Sequence, residues 1–319
     1  MAEQIDLYKL LKDRRTCRSF KPDPIPQEVI ARLYEAACSA PSAGGFQRIS
    51  IVEIADQKKK DTLARISRNQ RFIADAPINL VFCIDGLRMR SIAEYEGAPY
   101  GQDYAICTLW MGIIDATISA QTLVLAAEAE GLRSCYNGNV VDNADEVSEL
   151  LNLPEHVIPA FMLTLGYPRS NGQRSRKYPY DVIVHHETYK DMSMEKLYPH
   201  HIEKCGKPHF AANAARCAQL QKILIRQYGT EFAEKAMAQV NKQGFLTEYQ
   251  YWFGCYYPSN EDTAMTAEGY RKFLRNKGLD LDENGMRYYL KTLGRPLYCS
   301  RPNTAFAVIR QSMVRPFVG

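Results

Sequence analysis

The sequence predicts an α+β fold in which a mixed central sheet is flanked by helices, with an additional, mainly helical C-terminal extension. In the first part of the chain, short β-branched segments alternate with helical ones, which leaves α/β as the alternative class. Near residue 195 the composition shifts, and helical and aromatic segments follow. We therefore expect one domain over residues 1–195 and an extension over residues 196–319.

Three segments have the composition of buried strands. They are RISIVEIA at 48–55, INLVFCI at 78–84 and PAFMLTLG at 159–166. Each is short and rich in β-branched or large apolar residues, as strands of a packed sheet are. A further extended segment, DVIVHH at 181–186, is expected after the basic loop that follows Pro168.

Apolar residues at helical spacing predict the helices. Pro26 suits the start of a helix, because a backbone N–H at that position would have no partner within the helix and proline lacks one. The segment 111–130 is apolar or small around most of its circumference, so we expect it in the core or at a subunit interface, with Gly131 as its stop. The predicted helices span 6–12, 27–40, 57–68, 111–130, 214–228, 231–242 and 286–293.

The bulk composition is that of a soluble globular protein. The 319 residues are 46% hydrophobic and 24% charged, and the net charge of +4 is too small to indicate a nucleic-acid surface. The first residues lack the apolar run of a signal peptide, and no stretch reaches the roughly 18 uninterrupted apolar residues of a membrane helix. We expect a cytoplasmic protein without membrane or nucleic-acid partners, whose nine cysteines, none in a CxxC motif, are reduced and mostly structural.

Two segments near the start of the chain suggest ligand binding. The first contains Arg14, Arg15, Thr16 and Arg18, whose guanidinium and hydroxyl groups suit a phosphate monoester. The second, 40–47, is rich in small residues and lets backbone groups approach a flat ring closely. A solvated basic turn and a plain surface turn are the alternatives.

Two later segments complete the candidate set. Residues 131–139 follow the long apolar helix and contain a turn-prone Asn-Gly, so that a backbone N–H could face a ligand. An ordinary helix-to-strand loop is the alternative. The basic loop with Arg174, Arg176 and Lys177 is either a further anion-binding segment or a solvated one.

Together these segments resemble the nitroreductase-like family of FMN-dependent oxidoreductases. The family motif RRSxRxF is similar to residues 14–20, APSxGNxQ to 40–47, GLGTCxxGG to 131–139, and a strand ending in ALGYP to 164–168. The order and approximate spacing also match, and the likeness covers residues 1 to about 190. The resemblance implies a nitroreductase-like fold for this part of the chain.

The resemblance also implies which residues contact FMN. Arg14, Arg15 and Thr16 match positions at the phosphate and ribityl chain, and Arg18 matches a basic residue near the pyrimidine edge. The later matches are Pro41, Ser42 and Gly45 along the isoalloxazine, Asn69 at the pyrimidine ring, Tyr136, Asn137 and Gly138 beside N5, and Arg174 and Arg176 returning to the phosphate.

This chain departs from the family pattern at three places. Gly45 stands where Asn is common, and Asn139 stands where Gly is common. One extra residue before Pro179 leaves open whether Arg176 or Lys177 is the second late phosphate ligand. None of these departures removes a positive charge.

The activity implied by the resemblance is electron transfer from NADH or NADPH through FMN to a nitroaromatic, quinone or flavin. The kinetics would be ping-pong, with hydride delivered to the flavin N5 before the acceptor binds. Because the flavin carries the redox chemistry, no catalytic side chain is expected. The family also implies a homodimer with two flavins, for which the helix at 111–130 is a candidate interface.

Tyr95, Tyr100 and Tyr104 are candidate lid residues over a small-molecule substrate, within a segment, 86–110, that could equally be a packed excursion. Reductive dehalogenation, known in the same superfamily, is disfavoured because 86–110 contains no lysine. A flavin-binding sensor without turnover and a flavin-free polyanion binder remain as alternatives. No metal is expected, because the side chains of the adjacent pairs His185/His186 and His200/His201 diverge.

Overall fold

The structure is a computed structural model that describes residues 6–101, 106–170, 172, 174–206, 210–256 and 267–279. These residues divide into two compact units. The sheet unit comprises the described residues of 19–167 and 267–319, and the helical unit comprises those of 1–18 and 168–266. The division into domains at residue 195 stays a prediction.

Helices and short strands follow one another along the described chain. The helices are α1 (Leu7–Asp13), α2 (Gln27–Cys38), α3 (Gln57–Ile66), α4 (Arg71–Asp75), α5 (Leu87–Tyr95), α6 (Ile106–Ala129), α7 (Asn139–Asp142), α8 (Ala144–Leu150), α9 (Tyr180–Ile183), α10 (Met194–Cys205), α11 (Ala214–Tyr228), α12 (Thr230–Gln243), α13 (Glu248–Tyr251) and α14 (Ala267–Asn276). The strands are β1 (Ile49–Ile54), β2 (Ile78–Asp85), β3 (Arg133–Asn137), β4 (Val157–Gly166), β5 (Phe210–Ala211) and β6 (Phe245–Leu246).

The sheet unit is built on a four-stranded sheet of order β1-β2-β4-β3. The α+β class with helices around a central sheet is confirmed. Within the described residues, however, all three strand pairs of this sheet are antiparallel, and not mixed as expected. Alternating strands and helices suggested a mixed sheet, but α3 and α4 connect β1 to its antiparallel neighbour β2. The hydrophobic pattern of a strand carries no information about its direction.

The core lies on both faces of this sheet. Along β2, Leu80 and Phe82 belong to the apolar cluster with α2 and α6. Val81 and Cys83 belong to the opposite cluster with α3 and α4. This alternation is what the period-2 geometry of a strand requires, and it explains why β2 is buried over its whole length.

Helix α6 has one packed face and one exposed face. Ala116, Ala120 and Val124 are buried in the core cluster, whereas Ile114 is 42% exposed. By length and composition alone, its segment Thr108–Ala129 could cross a membrane, a test that core helices of soluble proteins also pass. The predicted stop is confirmed, since the chain leaves α6 through Gly131, whose φ of 76° favours glycine.

The helical unit has a small core of its own. Leu220 of α11, Met237 and Val240 of α12 and Leu246 of β6 pack together, and β5 pairs with β6. The helices predicted at 214–228 and 231–242 are confirmed, whereas the one at 286–293 lies outside the described residues.

The prediction of an extended segment at 181–186 is wrong. Residues 180–183 form the single helical turn α9, which begins directly after Pro179. Proline is favourable at a helix start. The β-branched composition of this segment did not produce a strand, because no strand among the described residues of the helical unit lies beside it to pair with.

Candidate functional site

In the helical unit, the N-terminal arginines directly follow α1. The side chain of Asp6 caps this helix by accepting a hydrogen bond from the Lys9 N–H at 3.1 Å, and Arg14 is its C-cap residue. Arg14, Arg15 and Thr16 are half-buried, and Arg18 is exposed. The helix end therefore holds two neighbouring guanidinium groups at a defined place in this unit.

The basic loop after Pro168 meets this segment. Arg15 donates from Nη1 to the Gly172 carbonyl at 3.0 Å and from Nε to the Asp13 carbonyl at 3.2 Å. Two basic segments far apart in the sequence are thus joined within one unit. Arg174 is exposed beyond Gly172, and like charges gathered in this way favour an anion.

Arg176 makes a hydrogen bond to the backbone of the helical unit. Its Nη1 donates to the Glu203 carbonyl near the C-terminal end of α10 at 3.0 Å. Lys177 is exposed. One of the five guanidinium N–H donors of Arg176 is therefore committed to the backbone, and the other four have no hydrogen bond to another described residue.

In the sheet unit, the segment 40–47 has an unusual backbone. Gly44, Gly45 and Gln47 have φ values of 62°, 71° and 48°. For a residue with a side chain this region is strained, and such strain tends to occur at ligand sites. A Cβ added at Gly45 would meet nothing within 4 Å, so there is open space next to this backbone.

A buried carboxylate holds the same segment in place. Asp115 of α6 is 2% exposed. It accepts hydrogen bonds from the Ala43 N–H at 2.8 Å and the Arg48 N–H at 3.2 Å, while Ser42 Oγ accepts from the Gln47 N–H at 3.1 Å. Asp115 was not among the predicted site residues, although an aspartate between Ile114 and Ala116 in a largely apolar helix was a signal.

A second left-handed backbone segment follows α3. Arg68 and Asn69 have φ values of 60° and 56°, and Asn69 is exposed. Next to them, Gln70 donates from Nε2 to Asn139 Oδ1 at 3.1 Å. This bond brings the predicted pyrimidine contact Asn69 close in the fold to the segment that contains Tyr136, Asn137 and Gly138.

The segment 131–139 is not a loop over its whole length. Tyr136 and Asn137 lie in β3 and pair with Leu163 and Met162 of β4. In the described sheet β3 is an edge strand, and an edge strand leaves alternate N–H groups facing away from the sheet. The expected outward N–H is thus compatible with a strand, which the Asn-Gly signal alone did not indicate.

Side chains around β3 are fixed by neighbouring elements. Tyr136 donates from its hydroxyl to Gln121 Oε1 of α6 at 3.3 Å, and the buried Asn137 accepts from the Asn139 N–H at 2.9 Å. Arg133 forms an ion pair with Glu128 of α6 at 2.8 Å. Gly138 is the N-cap residue of α7.

The three candidate lid tyrosines have different positions. Tyr95 ends α5 and is 94% exposed. Tyr100 lies beyond α5 and is half-buried, and Tyr104 lies outside the described residues. The predicted excursion at 86–110 therefore begins as a helix.

A cavity of about 340 Å³ opens beside the segment 40–47, lined by Tyr34, Gln47, Arg88 and neighbouring residues. The Tyr34 hydroxyl donates a hydrogen bond to the Glu53 carboxylate. Burial raises the pKa of Tyr34 strongly, and the bond to Glu53 raises it further. Tyr34 is therefore a neutral donor at physiological pH and not a base.

Comparisons with known proteins agree with this arrangement. A model of the nitroreductase family matches residues 11–167. The chain is 34% identical over 191 residues to a Cr(VI) reductase of Pseudomonas sp. (strain G-1). The aligned residues cover 60% of this chain and 78% of that relative. It is 32% identical over 244 residues to the oxygen-insensitive NADPH nitroreductase of Salmonella typhimurium, covering 75% of this chain and 98% of the relative.

Solved structures show the same similarity. The NADPH:FMN oxidoreductase of Vibrio harveyi complexed with NAD⁺ matches with a TM-score of 0.57 and 26% identity, over 75% of this chain and 98% of that one. The Salmonella match is longer than the 195 residues before the predicted boundary. Part of the region after residue 195 is therefore shared with that relative.

Proposed function

The chain belongs to the nitroreductase family, and on that premise we propose that it passes electrons from NAD(P)H through FMN to a small nitroaromatic, quinone or flavin acceptor. It is an NAD(P)H-dependent FMN oxidoreductase. The proposal covers the acceptor class, ping-pong kinetics and the residues at the site. When bound, FMN supplies the redox chemistry, so the chain has to bind and orient the reactants.

The contact between Arg15 and the Gly172 carbonyl is the observation that carries the proposal. It joins the N-terminal arginines to the basic loop, and a phosphate monoester with close to two negative charges suits several converging guanidinium groups. We assign the phosphate and ribityl chain to Arg14, Arg15, Thr16 and Arg174, with Arg176 contributing the donors that Glu203 leaves free. Arg18 is assigned to the pyrimidine edge.

The isoalloxazine ring is assigned to the backbone segments of the sheet unit. Pro41, Ser42 and Gly45 belong to the segment 40–47 that Asp115 holds, and the open space at Gly45 suits a flat ring. Asn69 is assigned to the pyrimidine ring. An outward N–H in the segment Tyr136, Asn137 and Gly138 is assigned to N5.

We assign acceptor selection to Tyr95 and Tyr100, together with Tyr104. Aromatic side chains at the end of a helix can cover a planar acceptor while remaining mobile enough to admit it. Replacing Tyr100 by Ala should therefore alter the ranking of acceptors by kcat/KM and leave the rate of flavin reduction by NAD(P)H within about twofold.

We further propose a cytoplasmic homodimer. Trp110, Ile113, Ile114 and Ile118 form an exposed apolar face of α6, opposite the face that packs in the core. A contiguous face of this kind on a helix typically marks an interface. Light scattering should give twice the chain mass, and Ile114→Glu should shift the protein toward monomer.

The first test is the visible spectrum of the purified full-length protein after incubation with excess FMN. A yellow protein that is bleached in stopped flow by NADH or NADPH, and gives parallel double-reciprocal lines with a quinone acceptor, is expected. FMN binding without NAD(P)H oxidation would instead support a sensor without turnover. A colourless protein with salt-sensitive polyanion binding would support the flavin-free alternative.

The phosphate assignment has its own test. Arg174→Gln should weaken FMN binding about tenfold to a hundredfold, because a hydrogen bond to a charged group contributes about 1.5–3 kcal/mol. Lys196→Gln, an exposed substitution in the same unit, is the matched control. Equal FMN dissociation constants for the two variants would contradict the assignment.

A further inference from the structure

Three potential metal ligands meet in the helical unit. His201 and Cys205 lie one turn apart on α10, with Cys205 Sγ 3.4 Å from His201 Nδ1. Glu248 is the first residue of α13. One ligand atom from each of the three side chains lies within 4.8 Å of the others.

The local fold sets this arrangement. Residues four apart on a helix share one face, so α10 presents the imidazole and the thiol together. On the other side, Thr247 and Gln250 form a capping box that defines the start of α13 and thus the position of Glu248. Tyr249 contacts the edge of the His201 ring, with 4.9 Å between the ring centroids.

The electrostatics of the cluster leave one acceptor unsatisfied. Glu248 Oε2 is buried and has no hydrogen-bond partner among the described residues. Buried carboxylate oxygens are normally paired, because an unpaired one loses the stabilisation that water gave it. A bound cation would supply the missing partner.

The Cys205 thiol has to lose its proton in order to coordinate a cation. Burial raises the pKa of Cys205, and the neighbouring Glu248 carboxylate raises it further. The Lys204 ammonium, 3.9 Å from Sγ, acts in the opposite direction. A cation that bound here would displace the thiol proton to solvent, as metals do when they coordinate cysteine.

We propose that His201 Nδ1, the Cys205 thiolate and a Glu248 carboxylate oxygen bind one divalent ion of the zinc class. Nitrogen, sulfur and oxygen together are the ligand set of zinc, whose bonds are about 2.0–2.3 Å long. In a tetrahedral site such bonds place nitrogen and sulfur about 3.5 Å apart. The observed 3.4 Å matches that edge without any rearrangement of the helix.

The surroundings allow an ion to enter. An open cavity of about 300 Å³ is lined by all three ligands and by Tyr198, Gln243 and Phe245. The Tyr178 hydroxyl lies 3.2 Å from His201 Nδ1 and gives up that contact when the ion binds. The ion would tie α10 to α13, a structural role that is independent of the flavin chemistry.

The sequence predicted no metal because the side chains of the adjacent histidine pairs diverge and no two cysteines form a CxxC motif. His200 and His201 diverge on the helix, but His201 and Cys205 do not. The third ligand comes from a distant helix and has no local signal in the sequence.

The first experiment uses the flavin-loaded full-length wild-type chain. Calorimetric titration with Zn²⁺ after chelator treatment should give one ion per chain, and zinc X-ray absorption should show one sulfur scatterer. Zinc should also slow iodoacetamide labelling of Cys205 at least tenfold, with exposed Cys38 unaffected as the internal control. Absence of stoichiometric zinc, or equal labelling of Cys205 with and without zinc, would overturn the proposal.

Variants separate this site from adventitious binding. Cys205→Ser and His201→Gln should each weaken zinc binding at least a hundredfold, and Glu248→Gln at least tenfold. His200→Gln, on the same helix beside the site, is the matched control and should bind zinc as the wild type does. Retention of FMN by each variant shows that it is folded, and unchanged zinc affinity in folded Cys205→Ser would reject the site.

Discussion

Replacing Asp115 should destabilise the sheet unit and weaken FMN binding together. The carboxylate is buried and accepts two backbone hydrogen bonds, from Ala43 at 2.8 Å and Arg48 at 3.2 Å. A hydrogen bond to a charged group contributes about 1.5–3 kcal/mol. The shorter bond belongs near the upper end of that range and the longer bond near the lower end.

The sum of the two bonds is offset by the cost of burying the carboxylate, so we expect Asp115→Ala to lower the free energy of unfolding by about 2–4 kcal/mol. Asp115→Asn keeps one acceptor oxygen and should lose about half as much. A loss of 3 kcal/mol corresponds to a decrease in Tm of roughly 6–12 °C for a unit of this size.

The assay is urea and thermal unfolding of the FMN-free protein, with FMN titration in parallel. Asp75→Asn is the control, because Asp75 forms an exposed i,i+4 ion pair with Arg71 that contributes no more than about 0.5 kcal/mol. The role assigned to this carboxylate would be refuted if the free energies of unfolding of Asp115→Ala and Asp75→Asn differed by less than about 0.5 kcal/mol, the size of one surface ion pair. Wild-type affinity of Asp115→Ala for FMN would refute it as well.

Two further predictions concern the packing of the sheet unit. An added Cβ at Gly112 of α6 would clash with Ile84 Cγ2. Gly112→Ala should therefore lower the free energy of unfolding in urea by about 1–3 kcal/mol, despite alanine's higher helix propensity. The control is Gly172→Ala, where the methyl meets nothing within 4 Å and the change should be near neutral; equal free energies of unfolding for the two variants would contradict the close packing at Gly112. Burial raises the pKa of Cys83 to about 12, which keeps the native thiol protonated as the pH rises toward that value, so iodoacetamide should label exposed Cys38 and not Cys83 at pH 9. Labelling of both at similar rates, measured by peptide mass spectrometry, would show that β2 opens readily.

The sequence by itself determined the fold class and the positions of the three longest strands and the three longest helices of the described residues. The strands at 48–55, 78–84 and 159–166 and the long helix near 111–130 were all predicted within a few residues. These patterns are local, because the period of a helix or strand is written in neighbouring residues. The family and the FMN chemistry also followed from short segments whose order in the chain carried the information.

Only the tertiary structure decided which distant groups meet. The antiparallel direction of the sheet, the bond from Arg15 to Gly172, the two bonds to Asp115 and the meeting of Glu248 with α10 join residues far apart in the sequence. Such contacts depend on how the chain reverses and packs, and a residue's immediate neighbours do not specify its distant partner. Asp115 acquires its role only because the fold places the Ala43 and Arg48 N–H groups beside it. His201 and Cys205 form a cluster of three ligands only because the fold places Glu248 beside them.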